Sequence, residues 1–184
     1  AAWLTRAGLA GPSILLNWLK ECDGLSLLMP EAGRWAARAR PLCPLRTGIA
    51  LADHAGLPEG PGEDGLQIDS VAHPRLILPF VARAATRLDL PLRIGWVGAE
   101  LTLDTAANGP ITVSLGEDAG APVDLWIAVV ARPEPNEQQT DCAVSAKGIA
   151  FADWQALDAL ALRVTVPPSA GSRAGAGAAG DDND

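Results

Sequence analysis

The chain reads as a single α+β domain, with N-terminal helices packed on a mostly antiparallel sheet. Three observations predict this. The hydrophobic period is helical along much of the N-terminal half and changes to two at about residue 92. Turn signals, Asn108-Gly109 foremost, divide residues 92–131 into short segments, as in a three-stranded meander. Apolar residues make up 48% of the 184 positions, enough to bury a core and unlike the composition of disordered chains.

Taken in order, Ala1 to Arg6 resemble the end of a helix. Residues 13–22 place Ile14, Leu15, Trp18, Leu19 and Cys22 on one helical stripe, with Pro12 and Ser13 as a start signal and Gly24 as a stop. Residues 31–40 suit a short helix with Trp35 inward and Arg34 and Arg38 outward, broken by Pro41 and Pro44. Residues 45–55 fit two readings: Ile49 and Leu51 alternate as in a strand, and the alanines suit a helix. Pro58, Gly60, Pro61, Gly62 and Gly65 mark a surface loop. A helix is expected at roughly 71–89, with Leu76, Ile77, Phe80, Val81, Ala84 and Leu88 inward and a kink or late start at Pro79.

Leu92, Ile94 and Trp96 then alternate, and after Val97-Gly98 the phase moves to Ala99, Leu101 and Leu103. A one-residue shift at a glycine suggests a β-bulge, so 92–104 is expected as one strand. Strands at 111–115 and 124–131 are expected to follow it, each pairing with the one before. Leu125 to Val130 is apolar on both faces, as a central strand would be. Ile149 to Ala152 suit a further strand, and Asp153 the cap of a helix with Trp154, Leu157, Leu160 and Val164 inward. The domain is thus expected to span 1–168, followed by a Gly/Ala-rich acidic tail at 169–184.

The net charge is −8, from 14 basic and 22 acidic side chains, and no run of Lys or Arg occurs. This argues against a nucleic-acid partner, whose phosphates call for a basic excess. The longest charge-free stretch, between Arg6 and Lys20, has 13 residues and contains Gly and Pro, too short for a membrane span of about 20 residues. Cys22, Cys43 and Cys142 form a sparse, odd set, which favours thiols in a reducing, cytoplasmic setting over a disulfide scaffold.

Several features bear on chemistry. Residues 175–180 spell G-x-G-x-x-G, but only Asp181, Asp182, Asn183 and Asp184 follow. Without a helix to receive a pyrophosphate, no dinucleotide or other cofactor is expected. Arg83 and Arg87, with Arg75 before them, share a helical face, and grouped guanidiniums can clamp an anion; a solvated helix face accounts for the same pattern. Arg173 offers a further anion contact in a tail expected to be loosely tethered there and ordered by a ligand, cation or partner. Cys43 with His54 or His73 as base is the one nucleophile arrangement available, set against a buried structural thiol. Two histidines and no C-x-x-C, H-x-x-x-H or H-E-x-x-H spacing leave no metal site to expect. Trp18, Trp35, Trp96, Trp126 and Trp154 read first as core and second as a ligand platform.

Residues 2–12 (AWLTRAGLAGP), Leu42-Cys43-Pro44, Asp53, residues 172–177 (SRAGAG) and the closing Asp182-Asn183-Asp184 together resemble a bacterial domain-of-unknown-function family, number 3726. The resemblance covers most of the chain loosely and is sharpest in the tail. It implies more N-terminal helix than this chain has, hence a chain truncated at the front, and an ordered role for the tail. Pro168 and Gly171 depart from the helix-friendly residues it implies before Ser172.

The function expected is that of a non-catalytic accessory module holding a small anion or a protein partner. The alternative is an enzyme with a Cys43 nucleophile and a histidine base. A thiol within hydrogen-bond reach of an imidazole, inside a cleft, separates the two.

Overall fold

The computed structural model describes residues 1–22, 28–38, 40–62, 64–103, 112–115, 121–132 and 149–162, the strand at 112–115 through its backbone. Two compact units, residues 1–148 and 149–184, are described separately. Cys142, Arg173 and the tail lie outside the described residues.

The first unit is α+β with a mixed, mostly antiparallel sheet. Two N-terminal helices, α1 (Ala2–Arg6) and α2 (Gly11–Glu21), precede the short strands β1 (Leu28–Met29) and β2 (Arg34–Ala37). Helix α3 (Pro44–His54), strand β3 (Leu66–Val71), a 3₁₀ turn (Pro74–Ile77) and helix α4 (Leu78–Leu88) follow. The sheet is completed by β4 (Leu92–Trp96), β5 (Ala99–Leu103), β6 (Thr112–Leu115) and β7 (Val123–Val129). Strand order is β1-β2-β3-β7-β4-β5-β6; β2 and β3 run parallel and every other pair antiparallel.

Each element has a local cause. Pro44 opens α3, where its missing N–H costs nothing, so the helical reading of 45–55 holds over the strand reading. Pro79 delays α4: the chain passes through the 3₁₀ turn and becomes regular only at Leu78. The apolar stripe of α4 is buried at Leu78, Val81, Ala84 and Ala85. Helix α4 packs against α3 and against β4 and β5. At Gly48 a Cβ would lie 2.3 Å from the Phe80 ring, so glycine is what lets the ring seat between α3 and α4. In α2 Ile14 and Leu16 are buried and Leu15 and Trp18 pack partly buried against the core, while Leu19, expected inward, is exposed.

Four expectations are corrected. Residues 34–37 are a strand, not a helix; Trp35 is fully buried as expected, but within β2, and its Nε1–H donates to the Glu59 carbonyl at 2.8 Å. The phase change at Val97-Gly98 is a hairpin tip, not a bulge. Trp96 pairs with Ala99, Ile94 with Leu101 and Leu92 with Leu103, so cross-strand partners share the core face. A three-stranded meander does occur within 92–131, as β4-β5-β6. The strand at 124–131, however, does not join β6: β7 inserts between β4 and β3, with Ile127 opposite both Ile94 and Leu66. It is central as expected, but only its Leu125 and Ile127 face is fully buried. Strand β3, absent from the sequence reading, buries Leu66, Ile68 and Val71. On β2 and β3, Arg34 makes a two-pronged pair with Asp69 at 2.9–3.2 Å, and this hydrogen bond, then the carboxylate charge, raises the guanidinium above its ordinary pKa.

In the second unit, α5 (Phe151–Ala161) begins where a further strand was expected. Trp154, expected inward, is 57% exposed, whereas Leu157 and Leu160 are half-buried; Val164, expected inward with them, lies outside the described residues. Among the described residues no helix is long and apolar enough to cross a membrane.

Candidate functional site

The site is built where β3 ends. The pairing of β3 with β7 shifts register between Ile68 and Val71, and Ser70 adopts φ 50°, its N–H donating to Asp124 at 2.8 Å. The displaced Ser70 carbonyl accepts from the Leu42 N–H at 2.8 Å, and the Leu42 carbonyl accepts from the Ala72 N–H at 3.2 Å. These two bonds lay the segment before α3 beside the end of β3.

Three residues after Ser70, His73 also enters the left-handed region, at φ 45° and ψ 63°. Pro74 disfavours the right-handed helical region for the residue before it. The left-handed alternative costs a non-glycine residue about 1–2 kcal/mol. The conformation caps the 3₁₀ turn, with the Leu76 N–H donating to the His73 carbonyl at 2.9 Å. It also accompanies an imidazole that is 8% exposed and whose Nε2 lies 2.9 Å from Glu21 Oε2 at the end of α2. Strained backbone held by its surroundings is a recurrent property of functional sites.

A cleft of about 190 Å³ opens around this pair. Helix α2 lines it with Trp18, Glu21 and the following Cys22. Arg40, Pro41, Leu42 and Cys43 form a second wall, Ala72 and His73 a third, and Pro122 contributes from the approach to β7. Cys43 is buried at the N-cap of α3, where the first helical N–H groups and the positive end of the helix dipole lie.

The structure divides the residues that the sequence singled out. Cys43 and His73 line one cleft, while His54 does not. His54 sits in the last turn of α3, edge-on to Trp35 with ring centroids 5.8 Å apart, and its Nδ1 is 3.7 Å from Glu59 Oε2. Among the described residues no hydrogen bond joins the Cys43 thiol to either imidazole. Arg83 and Arg87 are exposed on α4, away from the cleft lining, and Arg87 Nη1 donates to the Ala52 carbonyl at 3.2 Å, tying α4 to α3. Arg75 belongs to the 3₁₀ turn, so the three arginines do not share one continuous helix. No group of three or more His, Cys, Asp or Glu side chains among the described residues is placed to hold a metal ion.

Glu21, Cys22 and Arg40 were not singled out as site residues by the sequence. Glu21 ends an amphipathic helix on its polar side, where nothing local distinguishes it from a solvated carboxylate. Comparison with protein-family models, curated proteins and solved structures yields no match.

Proposed function

We propose that the protein is a non-catalytic, cytoplasmic accessory module that holds a small carboxylate in the cleft beside His73. The observation that carries this is the cleft wall itself, where Arg40 stands among apolar Trp18, Pro41, Leu42 and Pro122 while the Glu21 carboxylate is engaged by His73 at 2.9 Å. An apolar wall with a few convergent polar groups is the usual composition of a small-molecule site, and about 190 Å³ suits a ligand smaller than the usual 300–1,000 Å³ class. Arg40 brings to the wall a planar guanidinium, which matches the two oxygens of a carboxylate. The N-terminus of α3 at Cys43 favours the same charge. The resemblance to the domain-of-unknown-function family supplies no activity, so the reading rests on the cleft.

A thermal-shift screen of short mono- and dicarboxylates, with inorganic phosphate alongside, tests it. A ligand at about 100 times its Kd stabilises the folded state by about 2.7 kcal/mol, a readily measured rise in Tm. The rise is expected in the parent protein, lost in Arg40→Ala and kept in Arg83→Ala and Arg87→Ala. A rise lost instead in the α4 variants would move the site to the helix face, and no rise with any probe would refute the binding reading.

The second reading is an enzyme with Cys43 as nucleophile and His73 as base, favoured by their sharing one cleft. If the neutral ring donates Nε2–H to Glu21, Nδ1 carries the lone pair that would take the thiol proton. Alkylation of Cys43 separates the readings. A rate well above that of the denatured chain, falling in His73→Ala, supports the enzyme; a slower rate indifferent to His73 supports the binding module.

A further inference from the structure

Cys22 and Cys43 are both thiols in this structure and line the same cleft, a juxtaposition that neither the anion-binding nor the nucleophile reading uses. Cys22 caps the C-terminus of α2 and Cys43 the N-terminus of α3. Two contacts already draw these helix ends together. Glu21, adjacent to Cys22, holds His73 at 2.9 Å, and the Ala72 N–H holds the Leu42 carbonyl, adjacent to Cys43, at 3.2 Å. Cys22 and Cys43 therefore line one small walled space, Cys22 partly exposed and Cys43 buried.

We propose that Cys22 and Cys43 form a reversible redox pair, in which a low-molecular-weight disulfide drives closure of a Cys22–Cys43 bridge across the cleft. Accessibility sets the order of events. The Cys22 thiolate attacks one sulfur of the small disulfide, forming a mixed disulfide and expelling one small thiolate. The Cys43 thiolate then attacks the Cys22 sulfur, forming the protein disulfide and expelling the second small thiolate. The two protein sulfurs are oxidised, the small disulfide is reduced to two thiols, and the two protons lost by the protein end on them. The covalent step stands apart from the carboxylate-binding reading and is tested without any ligand.

The full chain carrying Cys142→Ala is incubated with oxidised glutathione, folded and in denaturant, and analysed by intact mass and by peptide mapping. The expected result is a loss of two hydrogens, a Cys22–Cys43 linked peptide, full reversal by dithiothreitol, and bridging favoured in the folded protein by roughly tenfold or more over the denatured chain, as effective concentration requires. Cys43→Ser in the same background is expected to stop at a stable glutathione adduct on Cys22. A persistent adduct on Cys22 with Cys43 intact, no mass change, or bridging no better folded than denatured would each overturn the proposal.

Discussion

His73 and Glu21 are 52 positions apart in the chain and meet at 2.9 Å, the imidazole almost wholly buried and the carboxylate 62% exposed. The contact ties the end of α2 to the turn that follows β3, and the cleft opens around it. Its two halves have different environments, so their removal has different consequences.

Glu21→Ala is expected to destabilise the protein by about 1 kcal/mol. The Coulombic part is small because the carboxylate is largely in water, and most of the loss comes from a buried imidazole left without its partner. Glu21→Gln keeps an acceptor and should recover about half of that. Urea denaturation of the three proteins checks this, and equal losses in both variants would mean that charge, not hydrogen bonding, dominates.

At position 73 the backbone and the side chain can be separated. His73→Ala and His73→Gly both lose the imidazole, but alanine keeps the left-handed steric cost of about 1–2 kcal/mol. Glycine escapes that cost while adding an entropic penalty of roughly 0.4–1 kcal/mol. The glycine variant is expected to be the more stable of the two by about 0.5–1 kcal/mol in equilibrium unfolding.

On the sheet, Trp126 lies against Gly95, where a Cβ would fall 2.4 Å from the indole, and the Arg93 guanidinium sits 5.5 Å from the same ring. Gly95→Ala is expected to cost about 1–3 kcal/mol through overpacking. In a Trp126→Ala background the same change should cost about 1 kcal/mol less, a coupling that a double-mutant cycle reads directly.

Trp35 combines complete burial with one hydrogen bond to the Glu59 carbonyl. Trp35→Phe retains most of the apolar volume and is expected to cost about 1–2 kcal/mol. Trp35→Ala opens a cavity and should cost about 3–5 kcal/mol, a large share of the roughly 5–15 kcal/mol that holds a domain folded. Thermal unfolding by circular dichroism distinguishes the two.

The elements legible in the sequence are those whose signal is local and repeats. The stripe from Leu78 to Ala85, the alternation across Leu92–Trp96 and Ala99–Leu103, and the glycine- and proline-rich loop before β3 all declare themselves within a few residues. Leu66, Gln67 and Ile68 alternate too, but too briefly to stand out beside a loop and a longer helical pattern. Residues 34–37 carry one inward tryptophan, which suits a strand as well as a helix; pairing with β1 and β3 decided between them.

Local pattern in the chain was enough for the α+β class, most of the helices, the burial of Trp35 and the candidacy of Cys43 with His54 or His73. Only the tertiary structure placed β7 between β3 and β4, because Leu125 and Ile127 are equally apolar toward any neighbour and the choice of partner depends on the whole sheet. It also put His73, and not His54, on the wall of a cleft shared with Cys43, Glu21, Cys22 and Arg40. Periodicity records which face of an element is buried, which is a local property. A cleft is made where ends of separate elements meet, and that meeting is set by strand order, by the register shift at Ser70 and by the left-handed turn at His73, none of which has a periodic trace in the chain.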